Sequence, residues 1–326
     1  MPVFWTISGV TLALLLADYA YRRYASGRIR NIVENVPTFA AIPTSSIPNL
    51  KTFRVCTNDG IELEACLHLP DKQPSAVVLF CPELNGNHWT ALHYARGLVD
   101  GGIAVLAFDF RNQGNSDHQK NYAPIHWVTE FELTDIEAML RHIDGDPDLQ
   151  RLPIGIYGIS RGGSAALQAA CRFPQIRAVV TESAYAAMPL IRSFMNKFSR
   201  FVVPDWFFNR LPDWHIELVL RQALSRSEGF RNCRYTHLDR EAANYTKPTL
   251  LISGSRDSYV TPGVTNEIAA ILSLDEQSWL VPKAKHNKAR EKNPDEYDQA
   301  LLSHFRNNLN IAIPTPTPVH SQTRVA

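Results

Sequence analysis

Several short runs of nearly uninterrupted apolar residues constrain this chain most. They fall at 76–81 (AVVLFC), 103–110 (IAVLAFDF), 154–159 (IGIYGI) and 249–255 (TLLISGS). A strand with one wet face alternates apolar and polar residues. These runs leave no face for water, so they read as strands buried on both sides. Shorter runs at 176–181 and 279–282 extend the series. Helical patterns near 89–99, 128–143, 161–171, 264–273 and 294–307 lie between or after them. Ahead of the series, 52–56 and 61–68 flank Thr57-Asn58-Asp59-Gly60, whose last residues suit the positive φ of a tight hairpin turn. A hairpin leading into repeated strand–helix units predicts an α/β fold, with a mostly parallel central sheet and helices on both faces.

The remaining segments set the expected boundaries. Residues 3–17 carry no charge, and Asp18 is followed by Arg22, Arg23, Arg28 and Arg30. About 20 apolar residues cross a bilayer. With Tyr19 to Tyr21 included, the run is just long enough. It lacks the leading positive charge of a cleavable signal. Residues 1–24 are therefore expected to be a single-pass transmembrane helix, with the arginines placing the domain that follows on the cytoplasmic side. Pro37, Pro43 and Pro48 mark 25–50 as a linker, and the Pro- and Thr-rich 311–326 as a disordered tail. The folded domain is then 51–310. It contains an insertion at about 185–247 that is rich in aromatics (Phe194, Phe198, Phe201, Trp206, Phe207, Phe208, Trp214), a length that suggests a lid.

Charge and cysteines exclude some classes. Lys+Arg number 33 and Asp+Glu 32, which leaves no excess charge to hold nucleic acid. Cys56, Cys66, Cys81, Cys171 and Cys233 are odd in number and widely spaced, so neither a disulfide framework nor a metal-binding spacing is expected. His88 and His93, five residues apart, do not match a helical zinc pair. No metal or organic cofactor is implied.

Gly158-Ile159-Ser160-Arg161-Gly162 stands where the run 154–159 meets a helical pattern. A serine on a sharp strand-to-helix turn is held in an exposed, strained position, and its neighbouring N–H groups point from a helix N-terminus toward developing negative charge. A serine hydroxyl needs a base and a group that orients the base. Asp257 follows the run 249–255, and His286 follows the run 279–282. Each lies where a strand ends, the edge at which open α/β sheets place their sites. Glu182, at the end of 176–181, is a second candidate for the acid.

On these residues the chain, over about 51–310, resembles serine hydrolases of the α/β-hydrolase fold. The segment Phe108-Asp109-Phe110-Arg111-Asn112-Gln113-Gly114-Asn115-Ser116 is similar to that family's D-x-R-G-x-G-x-S element, with Asn112 in place of a glycine; the resemblance implies a structural role for it. It also implies that Ser160, Asp257 and His286 form a catalytic triad, and that two backbone N–H groups form an oxyanion hole. One is expected from Arg161. The other must come from the segment Cys81-Pro82-Glu83-Leu84-Asn85-Gly86, where the family usually has His-Gly. Pro82 has no N–H, which leaves Glu83 or Leu84, with Leu84 favoured by the alignment of Gly86-Asn87. The expected function is cleavage of an ester, thioester or similar acyl bond in a small-molecule substrate, with lipid-like acyl chains among those expected. A serine peptidase and a non-catalytic binding protein of the same fold are the alternatives.

Overall fold

The computed structural model describes residues 2–35, 41–42, 50–198, 210–274 and 278–311. Its centre is an eight-stranded sheet: β1 (Thr52–Cys56), β2 (Glu62–His68), β3 (Val77–Cys81), β4 (Ala104–Phe108), β5 (Ile154–Ile159), β6 (Ile176–Glu182), β7 (Thr249–Gly254) and β8 (Ser278–Val281). Their spatial order is β1-β2-β4-β3-β5-β6-β7-β8. The β1–β2 and β2–β4 pairs are antiparallel and the others parallel. Every residue of β3, β4 and β5 is buried, as their unbroken apolar character requires.

Helices cover both faces. On one side α2 (Ala91–Asp100) and the C-terminal helix α10 (Pro294–Asn308) bury Tyr94, Leu98, Tyr297, Leu301 and Phe305 against the sheet. The other side carries α3 (Glu130–Gly145), α4 (Arg161–Arg172), α5 (Ala187–Phe198), α6 (Asp213–Arg231), the short α7 (Leu238–Glu241) and α8 (Pro262–Ile271). A one-turn α9 (Ala289–Lys292) precedes α10. The expected insertion thus contains α5, α6 and α7. Phe201, Trp206, Phe207 and Phe208 lie outside the described residues.

The N-terminal segment departs from the expected boundaries. One helix, α1, runs from Pro2 to Glu34, past the residue 24 limit and into the stretch expected to be a linker. Its second half docks on the domain. Ala25, Ile29 and Val33, one turn apart, are buried in the core. Arg226 donates to the Arg23 carbonyl at 2.7 Å, Arg231 pairs with Glu34 at 2.5 Å, and His215 pairs with Asp18 at 2.7 Å. The Trp127 indole donates to the Val33 carbonyl at 3.3 Å. The helix persists because these residues gain apolar burial that their charged composition does not advertise. The expected transmembrane helix is not supported: among the described residues, no helix is long and apolar enough to cross a membrane. Residues 36–40 and 43–49 of the expected linker, and 312–326 of the expected tail, lie outside the described residues.

Register places the functional edge. Gly158 of β5 lies opposite Cys81 of β3, and Ile159 opposite Glu182 of β6. The loops that carry Leu84, Ser160, Asp257 and His286 therefore leave the sheet at one carboxyl-terminal edge.

Candidate active site

Ser160 sits between β5 and α4 with φ 50° and ψ −116°, a backbone conformation that side chains other than glycine rarely adopt. Ser160 N–H donates to the Glu182 carbonyl at 2.8 Å, and its own carbonyl accepts from Ser164 N–H at 2.9 Å. The turn is so tight that a Cβ on Gly162 would stand 2.2 Å from the Cys81 carbonyl oxygen. Only glycine lets the loop after β3 run against the start of α4. That contact holds Cys81 and Pro82, two residues before Leu84, against the start of α4.

The side chains converge. Ser160 Oγ lies 2.9 Å from His286 Nε2, and His286 Nδ1 lies 2.7 Å from Asp257 Oδ2. Asp257 is 3% exposed, and its other oxygen accepts from the N–H groups of Tyr259 at 2.9 Å and Val260 at 2.8 Å. Ser183 Oγ donates to Asp257 Oδ2 at 3.1 Å. Four donors thus converge on one buried carboxylate. The loops bearing Asp257 and His286 are pressed together at Gly254, where a Cβ would stand 2.5 Å from the Ala284 carbonyl oxygen. The Tyr259 ring meets the His286 imidazole edge-on at 5.2 Å, and Phe194 of α5 stacks behind it at 5.3 Å.

Glu182 does not contact His286 directly. Its Oε1 accepts from Ala289 N–H at 2.8 Å, and its Oε2 accepts from Tyr297 OH at 2.6 Å. Burial pushes its carboxyl up to about 6, against the opposing pull of those two donors. Of the two acid candidates, it is Asp257 that the fold places on the histidine.

Arg161 and Leu84 are the two expected donors. Arg161 is the first residue of α4, so its N–H has no partner within that helix. Its side chain points away and is buried. It pairs with Glu132 at 2.8 Å and donates to Tyr122 OH at 3.0 Å. Burial alone raises the Glu132 carboxyl, and the Arg161 guanidinium together with the Thr129 donors more than offsets it, so the net direction is down. Glu132 also closes a capping box with Thr129 at the start of α3. The turn that carries Ser160 is thereby tied to α3 by a buried ion pair. Leu84 is 8% exposed, in a turn where Gly86 N–H donates to the Glu83 carbonyl at 2.8 Å and Asn85 takes φ 63°.

The Asp109 segment is a scaffold, as the resemblance implied. Asp109 accepts from the backbone and ring nitrogens of His88 at 2.5 and 2.8 Å, and from Asn115 N–H at 2.8 Å. Arg111 pairs with Asp135 at 2.7 Å and Asp59 at 2.6 Å. Asn112 takes φ 62°, the conformation the usual glycine would supply.

Sequence reasoning missed Ser183 and Tyr259. A lone serine after β6, and a tyrosine two residues past the acid, carry no motif. The spacing Asp257-Ser258-Tyr259 does fit a carboxylate that accepts N–H groups two and three residues ahead. Among the described residues, no group of histidine, cysteine or carboxylate side chains is arranged to hold a metal ion.

This sheet, elbow and converging triad geometry define an α/β hydrolase. The chain belongs to the serine aminopeptidase S33 family, whose model matches residues 72–235, half of its length. The match contains Ser160 and stops short of Asp257 and His286. Thiohydrolase aneE of Aspergillus aculeatus is 28% identical over 151 residues, which cover 46% of this chain and 43% of that one. The uncharacterized membrane protein YNL320W of Saccharomyces cerevisiae is 24% identical over 206 residues, covering 62% and 67%. Among solved structures, the Pyrococcus furiosus esterase Pf2001 shares the fold at a TM-score of 0.60, with 20% identity over 83% of this chain and 96% of that one. The chain spans 34% to 45% of the length of the first curated relatives it matches.

Proposed function

We propose that this hydrolase is a serine enzyme that cleaves an ester, thioester or similar acyl bond through an acyl-enzyme. The observation that carries the reading is the run of hydrogen bonds from Ser160 through His286 to Asp257, built on a strained elbow. Ser160 Oγ attacks the carbonyl carbon while His286 Nε2 takes its proton. Asp257 holds the other ring nitrogen and stabilises the imidazolium that forms. The negative oxygen is held by the N–H groups of Arg161 and Leu84, each donor worth about 3 kcal/mol in the transition state. His286 then passes its proton to the leaving group, and water repeats the sequence on the acyl-enzyme. The names of the esterase and thiohydrolase relatives favour an oxygen or sulfur leaving group.

The apolar wall of Tyr259 and Phe194 favours an acyl chain of some length. On p-nitrophenyl esters from acetyl to decanoyl, kcat/KM should rise with chain length, and aminoacyl p-nitroanilides should be poor substrates. A preference for acetyl overturns the lipid-like substrate. Faster turnover of the anilides makes the peptidase reading, suggested by the family's name, the better one.

We also propose that the outer half of α1 attaches the enzyme to a membrane with its catalytic domain on the cytoplasmic side. Val10, Leu12, Leu14, Leu15 and Leu16 are all more than half exposed and point in every direction around the helix. Such a stripe-free apolar segment gives up about 2 kcal/mol per large side chain by staying in water. The arginines that follow favour the cytoplasmic side, and the yeast relative is named a membrane protein. After carbonate extraction the full-length protein should stay with the membranes. Release into the wash overturns the attachment.

A further inference from the structure

Behind the His286 loop lies a buried cluster that the triad does not use. Glu182 ends β6 and is fully buried. It accepts one hydrogen bond from Ala289 N–H, three residues past His286, and one from Tyr297 OH on α10. The Tyr297 and Tyr157 hydroxyls are hydrogen bonded to one another. Both Tyr94 on α2 and a second buried carboxyl, Glu83, interact with Glu182 electrostatically. His286 does so too. Glu83 is 4% exposed, and burial raises its carboxyl. A carboxylate kept in such a place at the end of a strand costs stability that an apolar residue would not.

We propose that Glu182 is a positioning residue for the reaction: its carboxylate pins the loop that carries His286 and places a second negative charge behind the imidazolium. The inference rests on the serine-hydrolase reading above. Ala289 N–H is the handle, since fixing it limits how far His286 can swing from Ser160. Asp257 aligns the ring, and Glu182 aligns the backbone that bears it. Removing the Glu182 charge is then expected to move the acid limb of activity, because Glu182 and His286 interact electrostatically.

The direction of the pH effect follows from burial. Folding lifts the Glu182 carboxyl from 4.5 to about 6. Its contribution to stability is complete below the unfolded value and is lost as pH rises through the folded one. Above pH 6 the enzyme carries the ionised group at a cost in stability, and in return the imidazolium formed during turnover faces a negative charge.

Glu182→Gln keeps an acceptor for Ala289 N–H and removes the charge. Tyr297→Phe keeps the charge but removes the hydrogen bond that favours it. The test is kcat/KM from pH 5 to 9 on a short, soluble p-nitrophenyl ester, for both variants of the full chain. The acid limb should move to lower pH by about half a unit to one unit in Glu182→Gln, and by less in Tyr297→Phe. Thermal melts should place Glu182→Gln at or above the wild type at pH 8, which separates an altered profile from a failure to fold. A Glu182→Gln limb that superposes on the wild type, or moves to higher pH, overturns the proposal. Wild-type labelling by a fluorophosphonate tests the underlying hydrolase reading separately. If the wild type labels and the limb stays put, only the role of Glu182 falls.

Discussion

Ser160→Ala should abolish labelling by a fluorophosphonate probe and cut ester turnover by a factor on the order of 10⁶, with the melting temperature changed little. The size follows from what the hydroxyl does. In this geometry Oγ is 2.9 Å from His286 Nε2, the proposed base. On the proposed mechanism the loss of Oγ leaves only binding and the proposed oxyanion donors acting on a water molecule. Stability should hold because Ser160 Oγ bonds only to His286, whereas the strained backbone is held by Glu182, Ser164 and the glycines around it. Alanine tolerates the strained φ less well than glycine but no worse than serine. Labelling that persists in the alanine variant would place the reactive serine elsewhere. A folded wild type that never labels would leave the binding-protein reading as the better one.

The elbow was legible in the sequence because its demands are local. Few turns besides a nucleophile elbow require a glycine two residues to each side of a serine, between a buried strand and a helix. Asp257 and His286 were legible by position, as polar residues just past the last two apolar runs. Their pairing rested on the resemblance and not on any local pattern, since both Asp257 and Glu182 end up near the carboxyl edge of the sheet. What separates them is a contact across 115 residues, from Glu182 to Tyr297, which turns that carboxylate away from the imidazole ring. No local pattern encodes it. The same holds for α1. Ala25, Ile29 and Val33 repeat at helical spacing, but the signal is three small or medium side chains among arginines, next to a proline-rich stretch. Their burial depends on α6, which begins at Asp213, nearly 180 residues away. Ser183 illustrates a third limit. Its hydroxyl donates to Asp257 only because it takes φ 53° after β6, a backbone state the sequence does not announce.

Asp257→Asn should lower kcat by about 10⁴, or ~5.5 kcal/mol of transition-state stabilisation, while the fold stays intact. The geometry explains why a change of one atom costs so much. Asp257 Oδ1 accepts from the N–H groups of Tyr259 and Val260, so the amide of asparagine must keep its carbonyl there. Its NH₂ is then forced into the Oδ2 position, 2.7 Å from His286 Nδ1. Two donors cannot share that contact. Nδ1 gives up its proton to become an acceptor, and the proton moves to Nε2, the nitrogen that must accept from Ser160. The base is then in the wrong tautomer at every pH where it is neutral. Ser183 is displaced from the same oxygen, and its hydroxyl can turn to accept from the new NH₂, which limits the structural damage. Glu182 does not rescue the variant, since both its oxygens are engaged by Ala289 and Tyr297. The measurement is single-turnover acylation with a p-nitrophenyl ester, alongside a thermal melt. A loss smaller than about tenfold in a folded variant would mean that Asp257 is not the group that orients His286.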